Sequence, residues 1–428
     1  MKYSAILVFS LLTAVSMLAA PPGQMPSDSG DGALLGRVRQ VVAGMLVRLP
    51  NFTCLETLER SERMGGEKRF RLLDRLRLEV AYVNGQELYA WPGSSKFDET
   101  ALHSLITGAG AYGTGDFGEH LRVTYREDMP LKLAGKERIN HRDALKFTEV
   151  VPEIESHYDV IVPPYKATVA YSVTAWHDAA SLNLMRIEIL ATDFPRSLPL
   201  SRSFKATVYE TVEVNGLPVR LPAMTELSMT NRSHIENRTI STFSNCREYK
   251  GSSKLTFDEP ASEEPVVLAR PKALVDLPAG VEVQVRLDDA VELKQGARGD
   301  QVKMTVSRDA TSNGRKVLSA GAHVNGRWKL IQCRETPADH CFAILETETY
   351  QDGPRSGRFE AALESPSLER ELAIGARSYD LGRGLIIPSD VWSAKNGAAI
   401  MYTGIVTKLP RGYRLIWRTL EVSGVTKR

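Results

Sequence analysis

Apolar and polar residues change their spacing several times along this chain, and each change marks an element. From Ala33 to Leu49 the apolar side chains fall at Leu35, Val38, Val41, Val42, Met45, Leu46 and Leu49, a helical spacing that Pro50-Asn51 ends. From Phe52 the period becomes two. Residues 52–63, 67–83 and 86–93 alternate apolar with polar and are separated by Gly65-Gly66 and Asn84-Gly85, which predicts consecutive antiparallel strands. Helical spacing returns over Asp98 to Ile106 and leads into the glycine-rich passage GAGAYGTGDFG (108–118), followed by His120 to Tyr125. Alternation resumes over 136–151, 167–178, 182–194, 205–229 and 236–249. The pattern predicts one long, strongly curved antiparallel sheet made of hairpins, with one or two helices over its apolar face. An open sheet of that length has to close on itself or be covered.

Between Lys250 and Val275 the composition shifts to Ser, Pro and acidic residues, as in an interdomain linker. Beyond it come short strands punctuated by turn signals at Pro278 to Gly280, Gly296 to Gly299, Asn313-Gly314, Ala320-Gly321, Asp352-Gly353 and Gly382 to Gly384. That spacing suits a small barrel or sandwich. A chain of 428 residues exceeds what one core usually organises, so two domains are expected, 33–250 and 276–428, joined by a linker at 251–275.

The first residues add a compartment. Met1-Lys2, an apolar run from Ala5 to Leu18 and Ala19-Ala20 before Pro21-Pro22 have the order of a signal peptide, expected at 1–20 with a flexible spacer at 21–32. The run is too short and too rich in hydroxyls for a spanning helix. The expectation is a soluble protein in the bacterial periplasm or secreted beyond it. Basic and acidic residues nearly balance, 54 against 52, and are interspersed, so there is no electrostatic footprint for nucleic acid. Four cysteines in an oxidising compartment permit disulfides. The economical pairing joins Cys54 to Cys246, opening strand to closing strand, and Cys333 to Cys341.

Candidate chemistry is sparse. Gly108, Gly110 and Gly113 have the spacing of a dinucleotide fingerprint, but a helical stretch precedes them instead of a strand, and a mobile loop is the expectation. His323, Cys333, His340 and Cys341 offer a zinc-ligand set; a disulfide-closed hairpin is preferred because oxidation removes the thiolates. No metal site, cofactor or catalytic residue is assigned. Carboxylates such as Glu56 and Glu59, or Asp288 and Asp289, sit at strand positions that usually face solvent. A hydrolase built from scattered residues, with His177 or Asp178 beside the glycine-rich loop, stays open as an alternative.

The feature that suggests a task is the apolar face of the first sheet. Leu78, Val80, Tyr82, Trp91, Val169, Tyr171, Val173, Trp176, Met185 and Ile187 are the expected ligand-contacting residues, with Leu76, Leu88, Tyr89 and Ile189 beside them. The same residues would also make an ordinary packed core, whereas a curved sheet with few covering helices often leaves a cleft for an apolar ligand.

An opening helix, curved strands, a helical lid segment and then the strand TAWHDAASLNLMRIEIL (174–190) resemble the LolA-like half-barrels of lipoprotein carriers and of the large domain of the sigma-factor regulator RseB. Trp176, Asp178 and Arg186 match a W-x-D strand, turn and basic return strand of that superfamily, over about residues 33 to 250. The resemblance implies a mostly β (α+β) fold, a curved half-barrel with covering helices, that binds a lipidated or apolar ligand without chemistry. The longer glycine-rich insert and the Cys54–Cys246 bridge depart from the carriers. The second domain, with Leu277 to Leu287, Gly299 to Val306 and Ala320 to Gly326, is similar to small exported bacterial β-domains, which implies contact with an envelope protein partner. The expected function is that of a non-enzymatic cell-envelope protein; the alternative is an envelope-assembly or stress-sensing protein that works through its surfaces.

Overall fold

The helical spacing near the start becomes α1 (Ser29–Val47), which begins inside the expected spacer. Gly30 and Gly32 hid that first turn, whose dipole Asp31 complements. The computed structural model describes residues 29–94, 97, 102, 105–106, 110–249, 275–334, 340–365, 397–403 and 408–421. The signal peptide expected at 1–20, most of the helix expected at 98–106 and all of the expected linker but Val275 lie outside the described residues.

Twelve strands follow α1: β1 (Phe52–Arg63), β2 (Arg71–Val83), β3 (Gln86–Ala90), then a short helix α2 (Glu119–Thr124), β4 (Lys132–Ile139), β5 (Arg142–Val151), β6 (Asp159–Val162), β7 (Tyr165–Thr168), β8 (Tyr171–Asp178), β9 (Leu184–Ala191), β10 (Leu200–Val214), β11 (Leu217–Asn231) and β12 (Glu236–Glu248). Ten of them form one antiparallel sheet in the order β3-β2-β1-β12-β11-β10-β9-β8-β5-β4. The chain is mostly β, as the alternation implied. The closing strand β12 returns beside the opening strand β1, and Cys54–Cys246 joins the two where their register shifts. Asn84-Gly85 and Asn215-Gly216 take left-handed conformations at both positions, the backbone that tight hairpins require.

The strand expected over 167–178 is broken. Val169 N–H donates to Tyr158 O at 3.0 Å and the Ser156 hydroxyl donates to Val169 O at 2.6 Å, so the chain turns between β7 and β8. As a result β6 and β7 pair only with each other, as a hairpin outside the large sheet.

The second half forms another sheet from β13 (Glu282–Leu287), β15 (Gln301–Val306), β18 (His323–Arg334), β19 (His340–Asp352), β20 (Arg355–Arg358), β21 (Ala361–Ser365), β22 (Gly397–Thr403) and β24 (Arg414–Thr419), with two small ladders from β14 (Val291–Glu292) and β23 (Lys408–Leu409), and from β16 (Ala310–Ser312) and β17 (Arg315–Leu318). Its core surrounds the fully buried Trp328 and Trp417. Cys333 and Cys341 face each other across β18 and β19 and are disulfide-bonded, so no thiolate is left for the alternative zinc set.

The two sheets meet at an edge. β3 covers β2 only from Glu79 to Val83, so the preceding residues would present unpaired backbone. The loop around Arg298 fills that place: Arg77 N–H donates to Arg298 O at 2.8 Å, and Arg298 N–H to Arg75 O at 2.9 Å. Arg77 pairs with Asp300, and Arg327 Nη1 donates to Pro92 O at 3.0 Å.

Candidate ligand cleft

The inner face of the ten-stranded sheet is the one covered by α1, α2 and the glycine-rich segment. One apolar cluster there gathers Val38 and Val42 of α1 with Leu121, Tyr125, Val173, Ile187 and Ile189. A second gathers Phe52, Leu58, Leu78, Val80 and Tyr82 with Phe117. A polar band separates them. Thr207 faces Thr225, which faces Ser241, and Lys205 and Glu56 lie on neighbouring rows of the same face.

The band holds the glycine-rich segment down as a strap. Asp116 Oδ1 accepts from Thr207 at 2.8 Å and Thr225 at 3.1 Å, and pairs with Lys205 at 3.1 Å. Lys205 Nζ also donates to Thr114 O at 2.7 Å and to His120 Nε2 at 2.8 Å, so that ring nitrogen is unprotonated. Glu87 accepts from Gly115 N–H at 2.8 Å, Phe117 N–H at 2.9 Å and the Tyr89 hydroxyl at 2.7 Å. Tyr209 and Thr239 hydroxyls donate to Asp116 O and Ala111 O. Gly118 follows because a Cβ there would meet the Tyr82 hydroxyl at 2.5 Å. The described part of the passage expected to be a mobile loop, Gly110 to Gly118, is therefore bonded to four strands, β3, β10, β11 and β12. Burial, with Asp116 and Glu87 nearby, pushes the Glu56 carboxyl up to about 8. Burial also raises Glu87, and burial together with the Lys205 charge pushes His120 down to about 3.

Beside the strap a cleft of about 850 Å³ opens on the inner face. Its walls are Ile106, Val123, Tyr171, Ile189, Leu200, Leu227 and Met229, the strap from Gly110 to Thr114, and the β6–β7 hairpin through Val160 to Pro163. His120 and Lys205 also border it, and the hairpin side adds Asp159 and Lys166, which pair with each other at 2.8 Å.

Of the ten expected ligand-contacting residues, Tyr171 lines this cleft. Leu78, Val80 and Tyr82 are packed in the second apolar cluster, and Val169, Val173 and Ile187 in the first. Trp176 and Met185 lie on the outer face with Ala144; the Trp176 indole donates to Glu137 at 3.0 Å and stacks beside Lys146. Trp176 stands three residues after Val173 and five after Tyr171 in the same unbroken stretch of β8, so alternation puts it on the face opposite theirs. Trp91 sits at the junction of the sheets, against Gly299 and under the Arg298 guanidinium. Leu88, adjacent to the inward Tyr89, points the other way. His177 is buried, with Nδ1–H donating to Leu182 O at 2.8 Å and Nε2 accepting from the Tyr125 hydroxyl at 2.6 Å, and burial pushes it down to about 4. Asp178 accepts from Ala180 N–H and Ser181 N–H in the following turn. Neither lines the cleft, and both are committed to structural bonds.

Sequence reasoning missed the polar band. Glu56 was expected to face solvent with Glu59, yet three residues apart in a strand they point to opposite faces: Glu59 bonds Arg75 outside, and Glu56 is 5% exposed inside. The available signal was parity, since Glu56 shares its phase with Cys54 and Leu58.

Among the described residues no group of three or more metal-ligating side chains converges, and no helix is long and apolar enough to cross a membrane. No family model matches the sequence. No curated protein matches it. Among solved structures the chain is similar to a LolA superfamily protein from Nitrosomonas europaea, at 13% identity and a TM-score of 0.24 over 53% of this chain and 97% of that one. It is also similar to a DUF1329 family protein from Desulfovibrio piger, at 14% identity and a TM-score of 0.26 over 51% of this chain and 95% of that one.

Proposed function

We propose that the protein is exported and binds an apolar or lipid-modified ligand in the cleft on the inner face of its first sheet, without chemical turnover. The observation that carries this reading is the cleft itself, about 850 Å³ with walls from Ile189, Leu200, Leu227 and Met229. Small-molecule sites are typically clefts of roughly 300–1,000 Å³ lined mostly by apolar side chains, and this one falls in that class. The export-type start of the chain and its two disulfides support an oxidising compartment. The second sheet, fixed against β2, is the part proposed to meet an envelope partner, since its far side is left outside the junction.

Loading with a fluorescent polyene fatty acid tests the reading. Met229→Trp, which fills the cleft, is expected to abolish saturable loading, while Leu190→Trp on the outer face leaves it intact. Equal loading in both variants would remove the cleft as the binding place.

A further inference from the structure

A second cavity, of about 420 Å³, adjoins the cleft beneath the β2–β3 turn, and Thr114 and Glu119 line both. Its lining differs in kind: where the cleft is largely apolar, this cavity presents the Arg122 guanidinium, the carboxylates of Glu87 and Glu119 and the edge of Tyr89. Glu87 is engaged by the strap through Gly115 and Phe117, and by Tyr89 of its own strand. Glu119 and Arg122 are exposed, and a spacing of three residues on α2 puts them on one side of the helix.

Arg122 is held in place. One of its terminal nitrogens donates to the Tyr82 hydroxyl at 2.9 Å and the other to Gly85 O at 2.7 Å. A guanidinium has five N–H donors, so these bonds leave three for a ligand. The mouth between an apolar cleft and a polar cavity thus carries one fixed positive and one negative group. A purely anionic head placed there would meet Glu119 with Glu87 behind it, and a purely cationic head would meet Arg122. A head with a phosphate and an ammonium satisfies both.

We propose that the smaller cavity is a head-group subsite for a zwitterionic amphiphile of the phospho-ammonium class, with phosphate on Arg122, ammonium on Glu119 and the tails in the cleft. The subsite rests on the reading of the cleft as a ligand site.

Calorimetric titration of the mature full chain with dioctanoyl phospholipids that share their tails and differ only in head group tests it. The phosphoethanolamine lipid is expected to bind about two- to fivefold more tightly than the phosphoglycerol lipid, the scale of one accessible charge pair. Glu119→Gln, an exposed change, is expected to erase that difference, and Arg122→Gln to weaken both lipids. Equal affinities in the unaltered protein, tighter binding of the phosphoglycerol lipid, or an undiminished preference in Glu119→Gln would overturn the subsite while leaving the cleft reading standing. No binding of any of these lipids would overturn both.

Discussion

The Lys205 ammonium lies 3.1 Å from Asp116 Oδ1, and both side chains are more than nine-tenths buried. This pair ties the strap to the middle of the sheet, at a place where two apolar clusters would otherwise merge. Removing one partner leaves the other charge without compensation in a dry site, which typically costs about 3–5 kcal/mol. Lys205→Met is therefore expected to destabilise the protein by about that amount in guanidinium unfolding, and the double variant with Asp116→Asn to recover part of it. A loss below about 1 kcal/mol would mean the strap is not seated through this pair.

Stability should also peak in mildly acid solution. Glu56 is raised from 4.5 to about 8, so the folded state holds a proton that the unfolded chain releases, and stability falls as the pH rises through that interval. His120 and His177 are lowered from 6.5 to about 3 and about 4, so the unfolded chain binds protons that the folded state refuses, and stability falls as the pH drops below 6.5. The opposed slopes cancel near pH 6.5, where the maximum falls, and Glu56→Gln is expected to flatten the decline between there and pH 8. Unfolding curves collected from pH 4 to 9 check both statements.

Gly299 should be intolerant of any side chain. Its φ of +99° suits glycine, and a Cβ there would lie 2.6 Å from the Trp91 ring. Gly299→Val is expected to loosen the seal over the β2 edge, seen as faster backbone hydrogen exchange at Arg75 to Arg77 with the second core still protected. Unchanged exchange there would show that the junction does not depend on this close approach.

The fold was legible where one physical rule acted alone. Alternation located the strands from Phe52 to Glu248 and the paired turn residues located their hairpins, because a sheet with one covered face imposes a period of two. Cysteine economy located both disulfides, since opening and closing strands of a curled sheet lie side by side. The site was less legible because its polar lining obeys the same period as the apolar core. Lys205 and Thr207 occupy inward positions of β10, and nothing local distinguishes them from solvent-facing residues until the strap arrives from more than eighty residues earlier. Trp176 misled for the opposite reason: an aromatic in an apolar strand suggests the core, yet its odd spacing from Tyr171, Val173 and Ala175 puts it outward beside Glu137 and Lys146.

That placement is itself testable. Trp176→Ala and Met185→Ala, on the outer face, are expected to leave lipid loading unchanged, while Tyr171→Trp, which intrudes on the cleft, reduces it. Loss of loading in the outer-face variants, with folding intact by circular dichroism, would relocate the site.

The central claim is that the inner-face cleft holds an amphiphile, and native mass spectrometry of the protein exported by a bacterial host, before and after organic extraction, tests it most directly. An adduct of lipid mass that extraction removes, and that is missing from Met229→Trp, is the predicted result. A clean polypeptide mass that stays clean after incubation with phospholipids would contradict it.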